Sequence, residues 1–352
     1  MRESFEFRVQ ETFARQYLHD DEGKVLGDPE VNRIFGASVR KLVLETADPR
    51  CFEVGQIARL LYAQRGEFLY HGWQIHRTYT RKELEAAELL ELTPTSMFEP
   101  AGETCGTSYD YTNQCPFCGS GRSQISELVL DLRKAPKTRD VAITIGSEWI
   151  VSQCLAEMLT DKLVTGVKLG RVRHKARYQD DSFAYSDYPY GRELIRQAKQ
   201  AGVEADDWSF GVWVNRPEQS ALLARFHEER LDISERRSRM PTNLPVWHLL
   251  TTSSNPIGIT PRTRFGADPF IEDPEEDNRC PLGHVLGLNV LSELYVDRST
   301  WDGSDINVTR QMAGIRRGVL VPRPFVLISQ RLYRLLRDNK IRGYKAEVVH
   351  II

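Results

Sequence analysis

Two short stretches hold the residues best suited to chemistry. Cys115-Pro116-Phe117-Cys118-Gly119 sets two thiols three residues apart in a Pro/Gly turn, and Cys280-Pro281-Leu282-Gly283-His284 sets a thiol and an imidazole four apart. A turn of this kind, with backbone amides pointing back at the sulfurs, is one half of a tetrahedral Zn²⁺ site, which takes four N or S ligands. Together the turns supply three sulfurs and one imidazole. The spacing therefore predicts one zinc site, closed across the chain by Cys115, Cys118, Cys280 and His284. Cys105 competes with His284 as the fourth ligand. Four protein ligands leave no open position, so the zinc is expected to be structural, with its binding free energy acting as folding free energy.

Catalytic patterns fail on inspection. A thioredoxin-like CxxC opens a helix, whereas Gly119-Ser120-Gly121 follows here and breaks one. His227-Glu228-Glu229-Arg230-Leu231 begins like H-E-x-x-H but has Leu231 where the second His must stand, so surface ion pairs are expected of it. The zinc-deaminase pattern needs H-x-E ahead of P-C-x-x-C, and here His227-x-Glu229 comes after, with Gln114 before Cys115. No P-loop, G-x-G-x-x-G or G-x-S-x-G is present. His71 and His76 fall on opposite faces of an alternating strand, which argues against joint metal binding. No catalytic residue is named, and an enzyme whose residues are set by the fold alone stays as a third reading. Nucleic-acid binding by a zinc ribbon is the second. Arg171-Val172-Arg173-His174-Lys175-Ala176-Arg177 is locally basic beside the aromatic stretch Tyr178 to Tyr190, which suits a single strand. Against it stand the net charge and the acidic stretch Asp268 to Asn278, and basic residues also guard strand edges.

The elements that must position these turns follow from periodicity. Val54 to Ala63 reads as an amphipathic helix and Phe68 to Tyr79 as an aromatic strand. Thr80-Arg81-Lys82-Glu83 is a capping box, so a helix is expected from there to Leu92, stopped by Thr93-Pro94. After each cysteine turn the chain repeats itself in order. Ser126-Glu127-Leu128, Asp140, Val151-Ser152 and Gly166 answer to Ser292-Glu293-Leu294, Asp305, Ile328-Ser329 and Gly343, and the spacing from Ser to Gly is equal in the two. Each copy reads as a turn, a strand (SELVLDL, SELYVDR), a polar loop, a strand, a serine-capped helix and a glycine turn into a last strand. Ordered matches of this kind favour internal duplication. Between the copies, Tyr178 to Tyr190 reads as a loop and Arg192 to Gln200 as a helix. Trp208 to Val214 then reads as a strand, a long charged helix opens at Pro217, and Val246 to Thr252 is another strand. Cys51 and Cys154 read as small buried hydrophobes.

The expected fold is α+β. Two related strand-rich modules (101–177 and 266–352) are joined by a zinc-ribbon-like site, with an N-terminal α+β segment (1–100) and a helical and strand insert (178–265). The 352 residues are 41% apolar and 27% charged, with net charge −2, which gives no overall basic field to recruit nucleic acid or acidic membranes. Six cysteines in a chain of this length, with no apolar export segment at its start, are expected to stay reduced in the cytoplasm. No apolar run approaches the roughly 20 residues of a membrane span, so no membrane association is expected.

At CPxCG, the Ser-Glu-Leu strand and the serine-capped helix, the chain resembles bacterial proteins of the double-CXXCG-motif group. The matching residues are Cys115, Cys118, Gly119, Asp140, Ser152, Leu155, Leu159, Thr165 and Gly166. Glu103 to Asp110 is similar to the ExCGTxYD stretch that precedes CPxCG in a broader set of bacterial proteins. The resemblance covers most of the first copy and, more faintly, the second, and it departs at CPLGH. Some members of the group, and related immunity-like families, are regarded as antidotes of polymorphic toxins. The resemblance therefore implies a non-enzymatic, protein-binding role, with toxin neutralisation as its most concrete form. The acidic stretch Asp268 to Asp277 would then mimic nucleic acid or block a basic active site.

Overall fold

The computed structural model describes residues 1–31, 38–175, 185, 188–203, 210, 213–238, 244–266, 268–270, 279–286, 289–314 and 321–352, with backbone only at 230–238. The chain is mixed α and β. Its N-terminal part runs β1 (Arg2–Gln10), α1 (Glu11–Tyr17), β2 (Asp28–Val31), β3 (Ser38–Glu45), α2 (Pro49–Arg65) and β4 (Tyr70–Thr78), and its strands form an antiparallel sheet in the order β2-β3-β1-β4. Asp48 caps α2, Pro49 starts it, and Gly66 ends it in the left-handed region. The core of this part holds Phe7, Leu42, Leu61 and Trp73, and it takes in Leu291 and Phe270 from the far end of the sequence. His76 pairs with Glu6 on this sheet, and His71 is exposed.

The capping box at Thr80 is present and opens α3 (Arg81–Ala86), but the helix stops there and does not run to Leu92. Leu89–Pro94 is instead β5. Its residues Leu89, Leu90 and Leu92 are buried in a strand paired on both sides, and that pairing overrides local helix propensity.

The first module continues with β6 (Met97–Phe98), the single turn α4 (Gly102–Cys105), β7 (Tyr109–Asp110), β8 (Ser123–Gln124), β9 (Leu128–Leu130), β10 (Val141–Thr144), β11 (Trp149–Ser152), α5 (Gln153–Asp161) and β12 (Val167–His174). The insert holds α6 (Pro189–Gln200) and α7 (Ser220–Ser238). Phe210, Trp213 and Val214, expected in a strand, are helical, because an apolar knot of Tyr188, Leu194 and Phe226 encloses them. Then follow β13 (Trp247–Thr252), β14 (Phe265–Gly266), β15 (Val285–Leu286), β16 (Asn289–Val290), β17 (Leu294–Val296), β18 (Ile306–Gly314), β19 (Arg323–Ser329), α8 (Gln330–Asp338) and β20 (Tyr344–Ile351).

These strands make two six-stranded sheets built alike. One runs β6-β10-β11-β13-β12-β9 and the other β15-β18-β19-β5-β20-β17. Parallel pairs close both ends of each sheet, and the inner pairs are all antiparallel. The inner strand of each sheet comes from elsewhere. β5 precedes the first module yet completes the second sheet, and β13 precedes the second module yet completes the first.

The copies also bond to each other reciprocally. Ser152 donates its hydroxyl to Asp140 (2.8 Å) and caps α5; Ser329 donates to Asp305 (2.7 Å) and caps α8. The second oxygen of each aspartate reaches across. Asp140 accepts from the Arg342 amide at 2.8 Å, and Asp305 from the Thr165 amide at 3.0 Å. Val151, Leu155, Ala156, Leu159 and Val164 then meet their counterparts Ile328, Leu332, Tyr333, Leu336 and Ile341 in one core. Gly166 and Gly343 follow the clasp at positive φ, and a Cβ there would lie 2.1 Å from the Ile306 carbonyl oxygen or 2.5 Å from that of Val141. Cys154, expected inside, is exposed: its helix turns Leu155, Ala156, Met158 and Leu159 inward and Cys154 away. Cys51 is buried.

Gly166→Ala and Gly343→Ala should each cost about 2–4 kcal/mol in urea unfolding, through strain at positive φ and a clash with backbone. Gly303→Ala, also at positive φ but with open space around it, should cost about 1 kcal/mol. Equal losses at all three would contradict the close approach.

β5 also sets Glu91 directly opposite Glu347 of β20. Burial and the Glu347 charge push the Glu91 carboxyl up to about 7, against the pull of Thr93, Arg77 and Arg323. Burial raises Glu347 as well. A carboxyl raised above its unfolded value stabilises the fold fully below the ordinary Glu range, and that contribution is lost as pH rises through about 7. Glu91→Gln should therefore gain stability relative to the native chain between about pH 5 and about pH 8, by on the order of 2 kcal/mol. A pH-independent difference in paired urea titrations would contradict this.

Candidate metal centre

The two cysteine turns are built alike. In the first, the Cys115 amide donates to the Ser120 carbonyl (2.7 Å) and the Gly119 amide to the Cys115 carbonyl (2.9 Å). In the second, the Cys280 amide donates to the His284 carbonyl (3.0 Å) and the Gly283 amide to the Cys280 carbonyl (2.7 Å). Gly119 and Gly283 both sit at φ +80°, where a side chain is strained, which accounts for glycine at each. The polypeptide after Gly119 is tied to the other half of the molecule: the buried Ser120 hydroxyl donates to the Pro322 carbonyl at 2.7 Å.

The turns meet. The ligand atoms of Cys115, Cys118, Cys280 and His284 all lie within 4.8 Å of one another. Cys115 Sγ is 3.7 Å from Cys280 Sγ, and Cys118 Sγ is 3.1 Å from His284 Nδ1. A tetrahedral ion with bonds of about 2.3 Å to sulfur and about 2.0 Å to nitrogen has S···S edges of about 3.8 Å and S···N edges of about 3.5 Å. The first pair has the spacing of such an edge, and the second has that of a hydrogen bond between thiol and ring nitrogen. The three cysteines are almost wholly buried, His284 is half-buried, and Leu286 packs against the sulfurs. All four residues fit a metal ion.

The electrostatics favour a thiolate. Burial opposes charge on Cys115, but the amides of Cys118 and Phe117, with Cys118 and His284 themselves, hold its thiol down at about 6. Burial and the neighbouring Cys115 raise Cys118. One sulfur of the pair ionises first, and a cation would be needed to hold both as thiolates.

Cys105 is placed elsewhere. It lies buried at the end of α4 and is not one of the four grouped donors. The stretch Glu103 to Asp110 around it builds structure. Glu103 pairs with Arg122, Thr107 Oγ1 accepts from the Val129 amide (2.9 Å), and Tyr109 donates to the buried Glu148. Thr263 does for the second copy what Thr107 does for the first, accepting from the Tyr295 amide at 2.8 Å. The exposed cations Arg171, Arg173 and Lys175 lie on and just beyond β12, which pairs with β13 over Val167–Arg171 and with β9 over Val172–His174. Arg177, most of Tyr178 to Tyr190 and residues 271–278 of the acidic stretch lie outside the described residues. Sequence reasoning missed Ser120, whose contact is with a residue two hundred positions away and leaves no local trace. Comparison of the chain with protein-family models, with curated proteins and with solved structures finds no match. No helix is long and apolar enough to cross a membrane among the described residues.

Protein purified without added metal should contain about one zinc per chain by elemental analysis. Cys118→Ala and Cys280→Ala should lose it, and Cys105→Ala should keep it. Loss with Cys105→Ala, or retention without Cys280, would contradict the four-donor grouping.

Proposed function

We propose that the protein is a non-enzymatic binding protein, that a structural zinc ion held by Cys115, Cys118, Cys280 and His284 fastens its two halves, and that its partner is another protein. The observation that carries this reading is the donor set. Three buried thiols and an imidazole, gathered within 4.8 Å of one another, would fill all four positions of a tetrahedral ion and leave none for water or substrate. Sulfur-rich tetrahedral sites select zinc over harder ions. In such a site the ion offers a substrate nothing; it adds binding free energy to folding, across two stretches 165 residues apart.

The tips of the two turns support a protein partner. Phe117 is 51% and Leu282 62% exposed, each one residue from a metal-binding position or its proline. Apolar side chains on a rigid support are the anchors that protein interfaces use. Neutralisation of a toxin is the concrete form suggested by the motif resemblance. A second reading, nucleic-acid binding, is supported by the exposed cations Arg171, Arg173 and Lys175 gathered at one end of β12.

The reading is tested by cobalt substitution and by partner assay. The cobalt protein should show intense tetrahedral thiolate absorption that azide leaves unchanged, and an azide-dependent shift would mean an open position and an enzyme site. Where a toxin gene neighbours this one, co-expression should protect cells, and a Phe117→Asp/Leu282→Asp variant that keeps its zinc should not. Full protection by that variant, or salt-sensitive oligonucleotide binding abolished by Arg171→Gln/Arg173→Gln, would replace the protein-partner reading.

A further inference from the structure

The duplication allows one half of the molecule to be compared with the other, position by position. On one side of the joint, the loop before β10 and the turn after α8 enclose a cleft of about 510 Å³, lined by Lys137, Arg139, Lys340 and Arg342, with Asp140 and Trp247 among its other walls. The four cations are exposed, and none is ion-paired among the described residues. Asp140 is occupied by the Ser152 hydroxyl and the Arg342 amide. The buried Trp247 indole N–H has no hydrogen-bond partner among the described residues.

The matching positions of the other half hold Asp302, Ser304, Leu163 and Thr165. That half builds the same turn without the cations. Leu163 and Lys340 share positive φ (49° and 55°), and the Val164 amide donates to Leu159 (3.0 Å) as the Ile341 amide does to Leu336 (2.9 Å). It also balances its charge, because Arg331 pairs with Asp305. The backbone therefore does not require four cations in the cleft. Four like charges gathered around the single carboxylate of Asp140 repel and weaken the fold, so their presence points to an anion from outside.

We propose that this cleft is a binding site for a small ligand carrying two or more phosphate groups, such as pyrophosphate or the polyphosphate end of a nucleotide. The volume is that of a small-molecule site. Each facing loop brings one lysine and one arginine, a point charge beside a planar fork that matches phosphate oxygens. Confinement of the four charges to two short loops suits a compact polyanion better than an extended strand, which needs a continuous basic track. The site is separate from the metal centre and independent of the protein-partner reading.

The test uses the full chain with its metal and inorganic pyrophosphate as the probe, by isothermal titration calorimetry at two salt concentrations. Saturable, salt-weakened binding is expected. The variant Lys137→Asp/Arg139→Ser/Lys340→Leu/Arg342→Thr borrows the residues with which the other half folds, so its melting temperature and metal content should hold while affinity falls at least about tenfold. Lys340→Leu alone, at an exposed position, should weaken binding a fewfold and serves if the quadruple variant does not fold. No binding by the native chain, or equal binding by the folded variants, would overturn the proposal. So would a single-stranded oligonucleotide that depends on the same four cations and is not displaced by pyrophosphate.

Discussion

Two aspartates hold this molecule together. Asp140 and Asp305 each spend one oxygen on the serine that caps the helix of their own half and the other on a backbone amide of the opposite half. A carboxylate that accepts from both a cap and a neighbouring chain fixes the start of a helix and the approach of that chain in one step. Everything nearby depends on that distance. The glycines after the clasp leave no room for a Cβ, the two helices bring equivalent apolar faces into one core, and β5 and β13 cross to the sheet of the opposite half. Because each half contributes the same groups to the other, the contact is isologous, as between the subunits of a twofold dimer, but within one chain.

The two cysteine turns extend the same relation. They come from corresponding places before the two Ser-Glu-Leu strands and meet in one cluster. Their difference is chemical: the first gives two thiols, while the second gives a thiol and, one residue later, an imidazole. Two halves built alike can differ wherever the fold does not demand a particular residue. The second donor of each turn and the four cations of the basic cleft are such places. The Asp, Ser and Gly positions of the clasp are not.

This contrast also explains what could be read from the chain. Asp140/Asp305, Ser152/Ser329 and Gly166/Gly343 were legible because caps and positive-φ turns accept few residue types, so both copies kept them. The four donors were legible from type and spacing, but the choice between His284 and Cys105 was not, since it rests on which loops meet. The capping box marked where α3 begins. Its end was not visible, because Leu89-Leu90-Glu91-Leu92 obeys a strand partner more than two hundred residues away. The exchange of β5 and β13 was hidden for the same reason. Cys154 was not readable from spacing alone, since it lies one helical turn before the buried Met158 at the border of the apolar face. The basic cleft carries no motif, and its only trace in the sequence is the difference between two aligned copies.

The proposed zinc ion would fasten the two halves at one closed site with three sulfur ligands and one nitrogen. X-ray absorption at the zinc edge on the purified protein tests it most directly. The first shell should hold three sulfurs at about 2.3 Å and one nitrogen at about 2.0 Å, with no oxygen. Four sulfurs would mean that Cys105 replaces His284, and a shell containing oxygen would mean an open site; either result would contradict it.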